Sequence, residues 1–186
     1  MMRERNHRWR RERGFAVLEV WVVMVLCSPI PMISYAEAWA RADQARAVRE
    51  LEQIGKLWQK HLDKHGKFPK AAFYPKDPVN GGDSIRKILG GDASLWVADA
   101  MPSTLRQKGL TYVYNDKFAG WSRVLRPEKA WILIDMTAAC ERAPAPYKDG
   151  YNILFADGHV ITTKRLPPSL VKAREEAAVL GNVKGK

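Results

Sequence analysis

Apolar residues change rhythm several times along this chain. From Phe15 to Tyr35 they form a nearly continuous run of 21 residues, interrupted by Glu19, Pro29 and Pro31. At about 1.5 Å per residue, such a run just spans a bilayer core as a helix. Each proline removes a backbone donor, so the pattern predicts a kink or an end to that helix near Pro29. From Ala36 to His65 the rhythm becomes helical. Val48, Leu51, Ile54, Trp58 and Leu62 recur at three- and four-residue spacing and make one stripe. Arg41, Arg46, Arg49, Glu50, Gln53, Lys56 and Lys60 occupy much of the remaining surface. Lys64, His65, Gly66 and Pro69 then read as a helix stop.

Breakers dominate the next stretch, with Pro75, Asp77-Pro78, Asn80-Gly81-Gly82-Asp83, Gly90-Gly91-Asp92 and Pro102. Ser84–Leu89 reads as a short helix and Leu95–Ala98 as a short strand or helical turn. Beyond it the period becomes that of strands. Leu110–Asn115 alternates and is rich in β-formers, and Ala130–Ile134 is a continuous apolar run bounded by Lys129 and Asp135. Tyr151–Ala156 and His159–Thr163 flank Asp157-Gly158, which predicts a hairpin with a type I′ turn. Pro167-Pro168 ends the sheet, and Ser169–Leu180 reads as a terminal helix capped by Ser169.

The pattern therefore predicts an α+β chain, a long N-terminal helix packed on an antiparallel sheet of three or four strands. Its expected segments are a basic leader 1–14, an apolar helix 15–35 and a globular domain 36–186. Within the domain come a helix 36–65, a loop region 66–108, a sheet 109–164 and a C-terminal helix 168–180.

Charge sharpens the picture at the N-terminus. The net charge is +11, and the leader, with six Arg and two Glu, carries +4 of it. Arginines before an apolar run keep the leader cytoplasmic and send the remainder outward. A basic remainder suits anionic lipid or nucleic acid. The competing reading is a secretory signal, with an apolar core Phe15–Cys27, a break at Ser28-Pro29 and small residues at Ala36-Glu37-Ala38. Cleavage after Ala38 would release a soluble periplasmic protein. Glu19 fits that reading badly, because an acid in a short apolar segment costs about 2.5–3.5 kcal/mol on insertion. An acid in a membrane-length run is by default a functional residue.

Candidate chemistry elsewhere is sparse. His61 and His65 lie four apart on the helix and could face one side, but no third ligand is evident. Asp77, Asn80 and Asp83 offer oxygens without the spacing of a regular calcium loop. Cys27 and Cys140 are too few for a disulfide framework, and Cys27 in lipid could not meet Cys140. No phosphate loop, nucleophile elbow or paired-cysteine metal motif is present. No catalytic residue, cofactor or metal is therefore assigned.

Three stretches resemble one family. Gly14-Phe15 followed by Glu19 resembles the prepilin peptidase site of type IV pilins and type II secretion pseudopilins. The run Leu51-Glu52-Gln53-Ile54-Gly55 through His61 to His65-Gly66-Lys67-Phe68-Pro69 is similar to the end of the long helix in pseudopilin-like proteins. Tyr151–Val160, containing Phe155-Ala156-Asp157-Gly158-His159, looks like the hairpin of the prepilin-type processing-associated segment. The position that carries a histidine in that segment is Tyr147 here. The resemblance covers the leader, the long helix and the final hairpin, and leaves the middle uncovered.

The resemblance implies a pilin-like fold and a structural role rather than an enzymatic one. Gly14 would be the cleavage residue, Phe15 the new and methylated N-terminus, and Glu19 the acid that meets a neighbouring subunit's terminal amine. Implied partners are other pilin-like subunits, prepilin peptidase and an inner-membrane assembly platform. The implied location is a single inner-membrane span with the domain in the periplasm. A minor pilin-like module that binds DNA is a further alternative. Lys and Arg are otherwise scattered, with Lys164, Arg165, Lys172 and Arg174 the only late cluster, which reads more simply as a solvated face.

Overall fold

The computed structural model describes residues 29–172 and 174, with side chains from residue 35 onward. The chain divides into two units, Met1–Arg41 and Ala42–Lys186. Helix α1 is Pro29–His65. Pro29 and Pro31 lie at the beginning of the described part of this helix. In the first unit, Glu37 and Arg41 pair at 3.9 Å, and Tyr35 and Trp39 are exposed. Among the described residues, no helix is long and apolar enough to cross a membrane.

In the second unit α1 ends as its sequence predicts. Gly66 takes φ 64°, and its N–H donates to the Leu62 carbonyl at 2.7 Å. This is the left-handed cap that glycine supplies without a steric cost. Leu51, Ile54 and Trp58 of the stripe are fully buried, while its ends Val48 and Leu62 are only half-buried and the neighbouring Ala47 is buried instead. Each fully buried large side chain of this kind contributes about 1.5–3 kcal/mol. Packing of this face, rather than intrinsic propensity, therefore holds α1 in place.

The sheet has four antiparallel strands in sequential order: β1 Tyr112–Tyr114, β2 Trp131–Asp135, β3 Tyr151–Phe155 and β4 Val160–Thr163. Both faces are covered. Tyr112, Tyr114, Ile132, Leu133 and Leu154 join the α1 side of the core. Val113, Trp131, Ile134, Ile153 and Phe155 pack on the opposite side with Leu170. The register shifts between Trp131 and Leu133, which is why the neighbours Ile132 and Leu133 can share one side.

The middle stretch is more than a loop. It contains α2 (Ile85–Leu89), a 3₁₀ turn Ala93–Trp96 and α3 (Ser103–Gln107), the last not anticipated from sequence. Ile85, Trp96, Ala98 and Met101 from this stretch enter the α1-side core. Residues 168–172 are helical, as expected. Ser169, however, is not the cap. The Pro167 carbonyl accepts from Leu170 and Val171, and Ser169 Oγ accepts from Trp131 Nε1 at 2.8 Å.

The hairpin turn also differs from expectation. Among the described residues none other than glycine has positive φ, whereas a type I′ turn needs it at both Asp157 and Gly158. Phe155 N–H donates to the His159 carbonyl and Gly158 N–H to the Phe155 carbonyl, both at 2.9 Å. The loop is therefore three residues, Ala156-Asp157-Gly158, with Gly158 at φ 93° in the bulge position.

This turn rests on α1 at Gly55. A Cβ placed on Gly55 would lie 3.1 Å from both the Gly158 carbonyl oxygen and Leu154 Cδ1. Alanine gains up to about 1 kcal/mol of helix propensity over glycine, but a branched side chain must push the hairpin backbone away. Gly55→Val is expected to lower unfolding stability by about 2–3 kcal/mol, measured by urea denaturation. A neutral or stabilising result would show that the two backbones are not held in contact.

Candidate functional site

A surface groove lies where α1 meets the hairpin turn. Glu52, Gly55, Lys56, Gln59, Lys60 and Asp63 of α1 face Asp157, Gly158, His159 and Val160 across an open groove of about 670 Å³. Gln59 spans it, donating from Nε2 to the Ala156 carbonyl at 3.1 Å. The turn is self-braced. Asp157 Oδ1 accepts from His159 N–H at 3.2 Å and pairs with His159 Nδ1 at 2.5 Å. The His159 ring stacks on Phe155 with centroids 4.5 Å apart. His159 is thus fixed from two sides. The lining offers a carboxylate–imidazole pair and two ammonium groups, but no hydroxyl or thiol to act as a nucleophile. Its geometry suits positioning of the turn better than covalent chemistry.

A second constellation is buried. Asp135, the last residue of β2, is wholly enclosed. Its Oδ2 accepts from Asn152 N–H at 2.7 Å, while Oδ1 has no partner among the described residues. Strand alternation puts Asp135, its cross-strand partner Tyr112 and Asn152 on the α1 side of the sheet. Tyr112 and Tyr147 present buried hydroxyls without acceptors. Burial raises both phenols, and the charge of Asp135 raises them further. Burial also pushes the Asp135 carboxyl up to about 7, against the Asn152 N–H that pulls it down. Above them lies Glu50 of α1, raised chiefly by burial and held by Arg46 at 2.9 Å. Arg46 also reaches Asp99 at 2.9 Å, tying α1 to the middle stretch.

Asp135 was visible in the sequence only as the boundary of an apolar run. An acid closing such a run is ambiguous, because the same pattern describes a solvated strand end. Tyr147, the position of the histidine in the similar segment, lies in this group. It makes a bridge to Gly150 through mutual backbone hydrogen bonds of 3.3 and 3.0 Å.

The remaining candidates fall as follows. Gly14, Phe15 and Glu19 lie outside the described residues, as does Cys27. Asp157 and Gly158 form the turn described above. His61 and His65 do share a face, with ring centroids 4.4 Å apart. Burial lowers the His61 imidazole, and the neighbouring His65 and Lys64 lower it further. No group of three metal-ligating side chains occurs among the described residues. Asp77 is committed to its own turn, where Oδ1 accepts from Val79 N–H at 3.0 Å and Asn80 N–H at 2.9 Å. Cys140 is an exposed free thiol.

The buried acid makes a signed prediction. Native Asp135 keeps its proton to about pH 7, while the unfolded carboxyl releases it near its ordinary 3.8. The native state binds the extra proton across that window, so this group's stabilisation fades as pH rises through about 7. Glu50, also raised, acts in the same direction. Asp135→Asn is expected to flatten the fall in stability between about pH 4 and 7 and to stabilise the domain at the upper end by on the order of 2–4 kcal/mol. Denaturant titrations of both proteins across that range provide the check. An unchanged pH slope in the variant would mean that Asp135 ionises normally.

Compared with protein-family models, curated protein sequences and solved structures, the chain matches none.

Proposed function

We propose that this chain is a pilin-like or pseudopilin-like subunit, cut after Gly14 and assembled through its N-terminal apolar helix. The observation that carries this reading is a pairing of features. A basic leader and Gly14-Phe15 with a lone acid at Glu19 are joined to a domain in which a long helix packs on an antiparallel sheet. Each is common alone, and together they suit a membrane-anchored filament subunit. The site at Gly55 and Asp157-Gly158 adds support, because it links the two C-terminal stretches of the resemblance by direct contact.

The mechanism follows from the physics of a charge in lipid. Cleavage after Gly14 would remove the leader and expose the amine of Phe15. Glu19 in hydrocarbon is costly alone and tolerable beside a cation. A neighbouring subunit's terminal amine would supply that cation. Such a pair adds little net stability, yet it fixes the axial offset between subunits. The domain, rigidly packed on the lower part of α1, would coat the filament.

Two measurements test the reading. Sequencing of mature protein from bacterial envelopes is expected to begin at Phe15; a start at Trp39 would support release as a soluble protein after Ala38. Glu19→Ala is expected to leave membrane insertion intact while reducing recovery in sheared filament fractions by tenfold or more, about the factor that 1.4 kcal/mol represents. Normal recovery would remove the assembly role of that acid.

A further inference from the structure

The loop after β1 presents apolar and cationic side chains together. Leu125 is 94% exposed and Trp121 is 53% exposed. Between and beside them stand Arg123 and Arg126, both exposed. Scattered exposed leucines need no explanation, but a leucine almost wholly in water, four residues from an exposed tryptophan and flanked by arginines, is a pattern rather than an accident.

The loop is held firmly. Phe68 N–H donates to the Trp121 carbonyl at 2.7 Å, and Gly120 N–H donates to the Phe68 carbonyl at 3.0 Å. Trp121 meets Phe118 edge-on at 5.5 Å, Phe118 meets Phe68 at 5.9 Å, and Phe68 meets Trp58 of α1 at 4.9 Å. A line of rings therefore ties the exposed tryptophan to the core. The Lys70 side chain lies over Gly120, where an added Cβ would meet its Cε at 3.4 Å. Lys67, Lys70, Lys117, Arg123, Arg126 and Lys129 are all exposed, and none forms an ion pair among the described residues. The acids in this region are Asp63, Asp116 and Glu128.

We propose that residues 121–126 are a lipid-docking loop, which seats Trp121 and Leu125 in the headgroup layer of an anionic bilayer while the surrounding cations meet lipid phosphates. Charge complementarity selects an anionic surface, since six unpaired cations face three acids. The apolar residues select lipid over a nucleic acid. Tryptophan with arginine could stack a base, but a nucleic acid would leave Leu125 wet, whereas a bilayer removes it from water. Tryptophan also favours the interface, where its ring is apolar and its N–H stays hydrated. The loop sits at the His65 end of α1, where Phe68 bonds to Trp121. This goes beyond the filament reading and stands on different residues.

The test uses the full chain in nanodiscs of phosphatidylcholine, mixed with vesicles and floated on a density gradient. Nanodiscs should float with vesicles containing phosphatidylglycerol and not with pure phosphatidylcholine vesicles. Trp121→Ser with Leu125→Ser, and separately Arg123→Glu with Arg126→Glu, should each cut recovery at least about tenfold, and the arginine variant should leave the unfolding midpoint unchanged, since Arg123 and Arg126 are exposed. Equal recovery by both variants and wild type would overturn the proposal, as would flotation indifferent to lipid charge. Competition by a single-stranded oligonucleotide that depends on Arg123 and Arg126 but not on Leu125 would also overturn it, in favour of nucleic acid. If the chain fails to enter nanodiscs, the anchored reading fails instead. Flotation of the free chain and its variants with the same vesicles then tests the loop alone.

Discussion

The hairpin backbone passes so close to α1 at Gly55 that even a Cβ there would be crowded, and the rest of the domain is arranged around that approach. The hairpin turn can sit on α1 only because Gly55 lacks a Cβ and Gly158 takes a left-handed conformation in the bulge. Once the turn is seated, Gln59 reaches the Ala156 carbonyl, and β3 lies beneath the helix with Leu154 against the stripe. From β3 the other strands follow in simple antiparallel order. A glycine in a helix is a local cost of about 1 kcal/mol, here offset by burial of the larger side chains on either side of it.

The same packing explains the unusual interior. Carrying α1 across the sheet end encloses Asp135 together with Tyr112, Tyr147 and Asn152, and brings the largely buried Glu50 over them. Buried polar groups are usually satisfied, so a carboxyl with one free oxygen facing protonated phenols stands out. Desolvation resolves the conflict by keeping the acid neutral rather than by pairing it. The domain thus tolerates an acid in its core by letting it hold a proton, at the expense of sensitivity to pH. The acid proposed to act in assembly, Glu19, would solve the same problem in the other way, by meeting a positive charge.

Periodicity carried much of the architecture. The stripe Leu51–Ile54–Trp58, the stop at Gly66, all four strands and the Asp-Gly hairpin were legible because each has a distinct repeat or turn residue. What was not legible depended on tertiary context. α3 was hidden because five helical residues hold too little periodic signal. The bulge at Ile132–Leu133 was hidden because a strand buried on both faces shows no alternation to break. Ser169 resembled a cap until the position of Trp131 gave its hydroxyl another role. The turn type differs because Asp-Gly suits two hairpin geometries, and the cross-strand pairing of Phe155 with His159, which sets the loop length, decides between them. At the candidate site the turn residues were readable, but Gly55 and Gln59 were not. Their roles depend on a residue about a hundred positions away.

The central structural claim is that α1 and the final hairpin form one cooperative body joined at Gly55. Native-state hydrogen exchange on the intact chain tests it directly. The account predicts that the amides of Leu51–Trp58 and of Ile153–Phe155 open together, with the same free energy and the same denaturant dependence. Hairpin amides that exchange through a separate, much cheaper opening while α1 stays protected would contradict it.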